Sequence, residues 1–274
     1  MKKVAIQGIQ GSNHHIVAQN YYGADIELYE YLSFDALVDS LVRHTSEQAI
    51  MAIENTIAGS IIPNYALIDK YNLYISGEYY LNIHHHLMAL PGQTIADIKE
   101  VCSHPMALLQ CKEFFKQYEH IKLIEDTDTA GVAKRIKEQN LKGVAAIAPK
   151  IAADIFGLEV LEDGIQTIKN NATRFVFLQT SQPKNGIDQI DKASLKFELD
   201  HKRGSLAAVL NVMSDCKLNL TKIQSLPKIE TPWKYAFFVD VTFNAYEDYA
   251  KAKSIVAIMA EDFKILGEYK NGRI

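Results

Sequence analysis

Residues 100–148 read EVCSHPMALLQCKEFFKQYEHIKLIEDTDTAGVAKRIKEQNLKGVAAIA, and their rhythm decides the fold class. Short apolar runs at 100–102, 122–125 and 143–147 alternate with longer amphipathic stretches at 105–118 and 129–140. That alternation predicts strand and helix in turn, the signature of an α/β architecture. Pro105 and Thr129 sit where helices should begin. The same rhythm extends outward. Strands are predicted at 3–7, 49–53, 80–90 and 174–179, and helices at 13–22, 33–43 and 149–156.

After residue 180 the pattern changes. The segment 181–192 is polar, carries Pro183 and Gly186, and reads as a linker. Beyond it come a strand at 194–200, a helix at 205–216, strands at 218–225 and 235–243, a helix at 246–262 and a strand at 263–269. The order βαββαβ is the ferredoxin-like split unit.

Composition narrows the function classes. The 274 residues are 48% hydrophobic and 23% charged, with a net charge of -4. This is a globular chain long enough for two or three lobes. It lacks the basic balance of nucleic-acid binders, and no run approaches the ~18 apolar residues of a membrane span. Three cysteines, Cys102, Cys111 and Cys216, make no disulfide framework. The start MKKVAIQGIQGS has too short an apolar run for a signal peptide, so the cytoplasm is the expected compartment.

Several apolar strands end abruptly in polar clusters. Val4–Gln7 leads into Gly8-Ile9-Gln10-Gly11-Ser12, and 49–53 into Glu54-Asn55-Thr56, with Gly59 close behind. Val101-Cys102 leads into Ser103-His104-Pro105, and 123–125 into Asp126-Thr127-Asp128-Thr129. In open α/β sheets ligands gather at such carboxyl ends, where helix N-termini favour anions. Each junction alone is a helix cap. Together they suggest a shared anion cleft.

Other conspicuous residues have plainer readings. His84-His85-His86 lies in the predicted strand, with alternate faces and no companion ligands at metal spacing. Cys111 belongs to the apolar side of a helix. Glu54 is a structural carboxylate or a general base. In Asn170-Asn171-Ala172-Thr173-Arg174-Phe175 a polar cluster meets an apolar strand. Arg174 there is either an exposed strand residue or a clamp for a carboxylate, with the Thr173 hydroxyl beside it.

These segments, in this order, resemble the signature of prephenate dehydratases. Gly8-x-x-Gly11-Ser12-x-x-His15 is similar to the family's opening motif, and Glu54-Asn55-Thr56-x-x-Gly59 to its Glu-Asn-Ser block. Ser103-His104-Pro105-x-Ala107-Leu108-x-Gln110-Cys111, Thr129-Ala130, Ala145–Ala148 with Ala152-Ala153, and Asn171-x-Thr173-Arg174-Phe175 follow. Met106, Asp126 and Asp128 depart from the pattern. Arg203-Gly204-Ser205-Leu206 and 219–227 resemble the ACT domains of these enzymes, with Gln224 for Glu and Leu226 for Arg.

The resemblance implies a two-lobed catalytic domain of the type 2 periplasmic-binding-protein kind over 1–180. Lobe 1 would take 1–77 and 168–180, and lobe 2 would take 78–167, with a cleft between them. A regulatory ACT domain would occupy 193–274. It implies loss of carbon dioxide and water from prephenate, giving phenylpyruvate, with no cofactor and no metal. Arogenate dehydratase is the near alternative, and a non-catalytic amino-acid sensor the distant one. Thr173 would donate to the departing hydroxyl, with Arg174 and Phe175 beside it in the catalytic motif. Asn55, Thr56, Ser103, His104, Gln110, Thr129 and Asn171 would bind substrate. Gly204, Ser205, Leu206, Gln224, Ser225, Leu226 and Pro227 would take phenylalanine as a regulator. A homodimer or homotetramer is expected, with no nucleic-acid or membrane partner.

Overall fold

The computed structural model describes residues 1–183, 186–228, 231 and 234–273. Lys184 and Asn185 of the expected linker lie outside the described residues. The chain forms two compact units, Met1–Gly59 with Leu81–Thr173, and Ser60–Tyr80 with Arg174–Ile274. In chain order it begins β1 (Lys2–Gln7), α1 (Asn13–Tyr22), β2 (Ile26–Tyr31), α2 (Phe34–Val42) and β3 (Gln48–Asn55). The two-residue β4 (Gly59–Ser60), α3 (Ile62–Lys70) and β5 (Tyr74–Asn82) come next. Then follow β6 (His86–Ala89), β7 (Glu100–Ser103), α4 (Pro105–Phe115), β8 (Lys122–Glu125), α5 (Thr129–Glu138), β9 (Val144–Ala148), α6 (Lys150–Phe156) and β10 (Glu159–Glu162). After β11 (Ala172–Gln179) come β12 (Lys192–Glu198), α7 (Ser205–Asp215), β13 (Asn219–Pro227), β14 (Tyr235–Thr242), α8 (Tyr246–Met259) and β15 (Asp262–Tyr269).

In the first unit β1 pairs in parallel with both β2 and β3. A second sheet there has the order β10-β6-β9-β7-β8. Its central strand β9, VAAIA, is apolar throughout because helices cover both faces. Leu87, Val101, Ala145 and Ile147 meet Cys111 and Phe115 of α4 on one side. Met88, Cys102, Ala146 and Ala148 meet Val132 and Ile136 of α5 and Ala152 of α6 on the other. Cys111 is therefore core, as its helical position implied, and burial pushes its thiol to about 12.

In the second unit β12 to β15 form an antiparallel sheet in the order β13-β14-β12-β15. With α7 and α8 this is the predicted βαββαβ arrangement. Leu195, Phe197, Val239 and Val241 pack on Val209, Met213, Tyr249 and Val256 of the two helices. The opposite face of β12, formed by Lys192, Ser194, Lys196 and Glu198, is polar yet also buried. It meets α3 and β5: Lys196 pairs with Asp69 at 3.0 Å and Lys192 with Glu78 at 2.8 Å.

Two features differ from the sequence reading. The single strand expected over 80–90 is broken, because β5 ends at Asn82 and β6 starts at His86. The intervening backbone bonds elsewhere: Ile83 N donates to Asn171 O (2.7 Å), and His85 O accepts from Ile165 N (2.8 Å). His84 and His85 are thus not strand residues. Secondly, 60–80 and 174–180 group with the C-terminal part, not with the rest of 1–180. Glu78 and Arg174, described below, pair with each other and with residues of that part.

His14 on α1 is buried against Phe34, ring centroids 5.8 Å apart. Burial holds its imidazole at about 3, against an ordinary 6.5. Between those values the unfolded chain takes a proton that the folded chain refuses. This stability is therefore complete above 6.5 and declines as the pH falls toward 3. Urea unfolding at pH 5 should show a loss of about 2 kcal/mol relative to pH 7 from this group. His14→Phe should remove that part of the pH dependence.

Candidate active site

The polar junctions of the first unit are, one by one, helix caps. Ser12 Oγ accepts from His15 N (3.3 Å) at α1, His104 Nδ1 from Met106 N (3.2 Å) at α4, and Asp128 Oδ2 from Gly131 N (2.8 Å) at α5. Burial raises the Asp128 carboxyl, against the pull of the Gly131 amide. Gly8 has φ +90, and a Cβ there would sit 3.5 Å from Asp128 Oδ1 and 3.3 Å from Ser12 Cβ. That close approach brings the end of β1 to the start of α5 and needs a glycine. Thr129 is the first helical residue of α5, half-buried beside the cap. Ser103 is fully buried and donates its hydroxyl to Ile147 O at 2.7 Å, so its side chain holds the sheet and does not face a ligand.

A second group is more tightly organised. β3 ends at Asn55, and β11 starts at Ala172 beside it: Thr56 N donates to Ala172 O (2.9 Å), and Ala172 N to Thr56 Oγ1 (3.0 Å). Asn55 Oδ1 accepts the backbone N–H groups of Ile57 and Ala58, each at 2.9 Å. These can only donate, so the amide orientation of Asn55 is determined. Its Nδ2 must point the other way, where it donates to Asn171 Oδ1 (2.7 Å) and to Thr173 Oγ1 (2.9 Å). Asn171 is fully buried and passes the polarity on, donating from Nδ2 to Gln110 Oε1 at 2.9 Å.

The consequence falls on Thr173. Its oxygen accepts from Asn55, so its own hydrogen is left to donate, and no described residue takes it. Thr173 is mostly buried, with 8% of its surface exposed. A hydroxyl so oriented is a preset hydrogen-bond donor for a group that gains negative charge.

Residues 4–183 match the profile described as prephenate dehydratase. The chain is 34% identical over 277 aligned residues to the arogenate dehydratase/prephenate dehydratase 2 of Arabidopsis thaliana, covering 97% of this chain and 72% of that one. It is 31% identical to a bifunctional chorismate mutase/prephenate dehydratase of Buchnera aphidicola, covering 97% and 70%. The fold matches a prephenate dehydratase structure from Arthrobacter aurescens with a TM-score of 0.88 at 23% identity, covering 98% of this chain and 90% of that one. This chain belongs to the prephenate dehydratase family.

Within this prephenate dehydratase fold the Thr-Arg-Phe motif divides. Thr173 and Arg174 are neighbours on β11, and successive strand side chains leave on opposite faces. Arg174 does not join Thr173. It lies buried in the second unit, donating from Nε to Glu78 Oε2 (2.6 Å), from Nη2 to Tyr269 OH (2.9 Å) and from Nη1 to Asp240 Oδ2. The expectation of a carboxylate clamp is corrected, because all three guanidinium nitrogens are already engaged. Phe175 is a core side chain, 1% exposed, and not a reacting group.

Lys192 donates to both oxygens of Glu78 (2.8 and 2.9 Å), and Ser194 bonds Asp240. Two cations thus face two carboxylates in one closed cluster. Burial alone would raise the Asp240 carboxyl, but the Arg174 guanidinium brings it below the usual range. The sequence reading missed Glu78, Lys192, Asp240 and Tyr269. Asp240 was detectable: it stands alone in the apolar run Phe237-Phe238-Val239-Asp240-Val241. His85 was read only as part of a predicted strand, and Gln166, whose side chain accepts from the His85 backbone N–H (3.0 Å), was not marked.

Arg174→Ala should cost about 3–5 kcal/mol of stability, the penalty for leaving buried carboxylates unpaired. Chemical unfolding measures it. A substrate clamp would instead raise KM and leave the unfolding midpoint unchanged.

Proposed function

We propose that the chain removes carbon dioxide and water from prephenate to give phenylpyruvate, with Thr173 assisting departure of the ring hydroxyl. The oriented Thr173 hydroxyl carries this reading. Loss of the carboxylate and the hydroxide makes the ring aromatic, so the reaction runs strongly downhill. The protein has only to hold the anion and stabilise the leaving oxygen. A threonine is a very weak acid, so its contribution is a hydrogen bond that strengthens as charge develops. Asn55 keeps the Thr173 oxygen occupied and its hydrogen directed outward. Gln110, half-buried on α4, has its amide nitrogen unclaimed by any described residue and suits a substrate carboxylate or carbonyl. Thr56 is exposed beside Asn55, and His104 and Thr129 stand at the two helix starts.

Arogenate is the competing substrate and differs from prephenate by an amine in place of the side-chain ketone. Relatives carrying either name align with this chain. Turnover of both substrates by the full chain, followed as phenylpyruvate absorbance in base and as phenylalanine release, separates them. Thr173→Ala should lower kcat by about 10²–10³-fold, the usual cost of one such donor. Thr173→Ser should recover much of it. Full activity of a folded Thr173→Ala removes Thr173 from the reaction.

The C-terminal βαββαβ segment suits a regulatory ACT domain. A 220 Å³ pocket there is lined by Leu199, Ser205, Leu206, Tyr235 and Phe237, with Asp200 and Lys202 at its edge. Apolar walls with both charges at the rim match an aromatic amino acid, and the Arthrobacter aurescens enzyme was solved in complex with L-Phe. Gly204, with φ +84, caps α7 next to this pocket. Gln224, Ser225, Leu226 and Pro227 lie on the edge strand β13, where Gln224 and Leu226 are half-buried and Ser225 and Pro227 exposed. Self-association through that edge suits the expected homo-oligomer. Titration calorimetry should detect L-phenylalanine, and Phe237→Ala should weaken it about tenfold, one core contact's worth. No heat and no change in turnover would reject the regulation.

A further inference from the structure

We propose that His85 is a positioning residue for the reaction: as the neutral Nε2–H tautomer it pins Gln110, so that the Gln110 amide nitrogen is presented to substrate. The proposal rests on the dehydratase reading above. It starts from a row of polar side chains whose polarity has one solution. The backbone N–H groups of Ile57 and Ala58 orient Asn55, Asn55 orients Asn171, and Asn171 donates to Gln110 Oε1. Gln110 must therefore turn its oxygen inward. His85 Nε2 lies 2.8 Å from that same oxygen. An oxygen already turned toward a donor can only accept, so the imidazole proton is on Nε2. The row ends there.

The remaining geometry fits a fixed support. His85 is buried, 4% exposed. Its backbone is held on both sides, with N donating to Gln166 Oε1 (3.0 Å) and O accepting from Ile165 N. Gln110 is tied to the same segment, its carbonyl accepting from Thr167 N at 2.9 Å. His85 Nδ1 is buried with no hydrogen-bond partner among the described residues. Burial also lowers the His85 imidazole below its ordinary value, in keeping with a neutral ring. With the oxygen of Gln110 held by two donors, its amide nitrogen is the free end of the side chain. Losing the His85 bond leaves Gln110 able to swing, and small misplacements of a binding group are costly.

Two measurements test this. In the full chain labelled with ¹⁵N-histidine, a two-bond ¹⁵N–¹H correlation at neutral pH should give His85 the Nε2–H pattern. The signal is assigned by its loss in His85→Gln. An Nδ1–H tautomer or an imidazolium overturns the proposal.

The second measurement is kinetic. His85→Leu should lower kcat/KM by about 10- to 100-fold. His85→Gln, which can place an N–H near the old Nε2, should restore most of it. His85→Asn, whose amide lies nearer the old Nδ1, should not. In a Gln110→Leu background, His85→Leu should have little further effect. Equal losses in both backgrounds, or equal loss in the Gln and Asn variants, would mean that His85 acts through the fold alone. An active wild type with an indifferent His85→Leu rejects this role alone. A wild type inert on both prephenate and arogenate rejects the dehydratase reading and this role with it.

Discussion

A strand presents successive side chains to opposite sides, and at Thr173 and Arg174 that rule separates a row of amides from an ionic cluster. One residue gives a hydroxyl to a row of amides in the first unit. The next gives a guanidinium to a closed ionic cluster in the second. The division of the chain falls between these two residues. A motif that looks like one functional word in the sequence is therefore two devices joined by a peptide bond.

The amide row works because of what lies at its root. Backbone N–H groups cannot reverse their polarity, whereas side-chain amides can be drawn either way round. By anchoring Asn55 on Ile57 and Ala58, the turn after β3 settles every later orientation in the row. Thr173 gains nothing in acidity from this. It gains a donor on one lone pair of its oxygen, which leaves its own hydrogen to be given elsewhere.

The ionic cluster follows a different logic. Burying Arg174, Lys192, Glu78 and Asp240 is expensive, and their attraction offsets the desolvation only when every partner is in place. The tyrosine hydroxyl of Tyr269, the Ser194 hydroxyl and the Gly272 amide fill remaining positions. The cluster links β5, β11 and the antiparallel sheet within the second unit.

Local pattern was enough for much of the architecture. The α1 limits at Asn13–Tyr22, the start of α4 at Pro105 and the βαββαβ order of the C-terminal part were legible, because periodicity and capping act over a few residues. The Asn171-x-Thr173-Arg174-Phe175 segment was legible through the resemblance of its motif. Other features needed distant residues. Lys192, Ser194, Lys196 and Glu198 alternate with apolar neighbours as a solvent-facing edge would, yet all are buried, with Glu78 of β5 and Asp69 of α3 supplying counter-charges to the two lysines and Lys228 to Glu198. The break at 83–85 depends on bonds to 165–171, and the hydrogen bond of the His85 ring depends on Gln110 from helix α4. Short-range preferences determined which segments are strands and helices. Which polar side chains are buried, and in what orientation, was decided only by tertiary structure, since a hydrogen bond or ion pair is set by the partner and not by the residue alone.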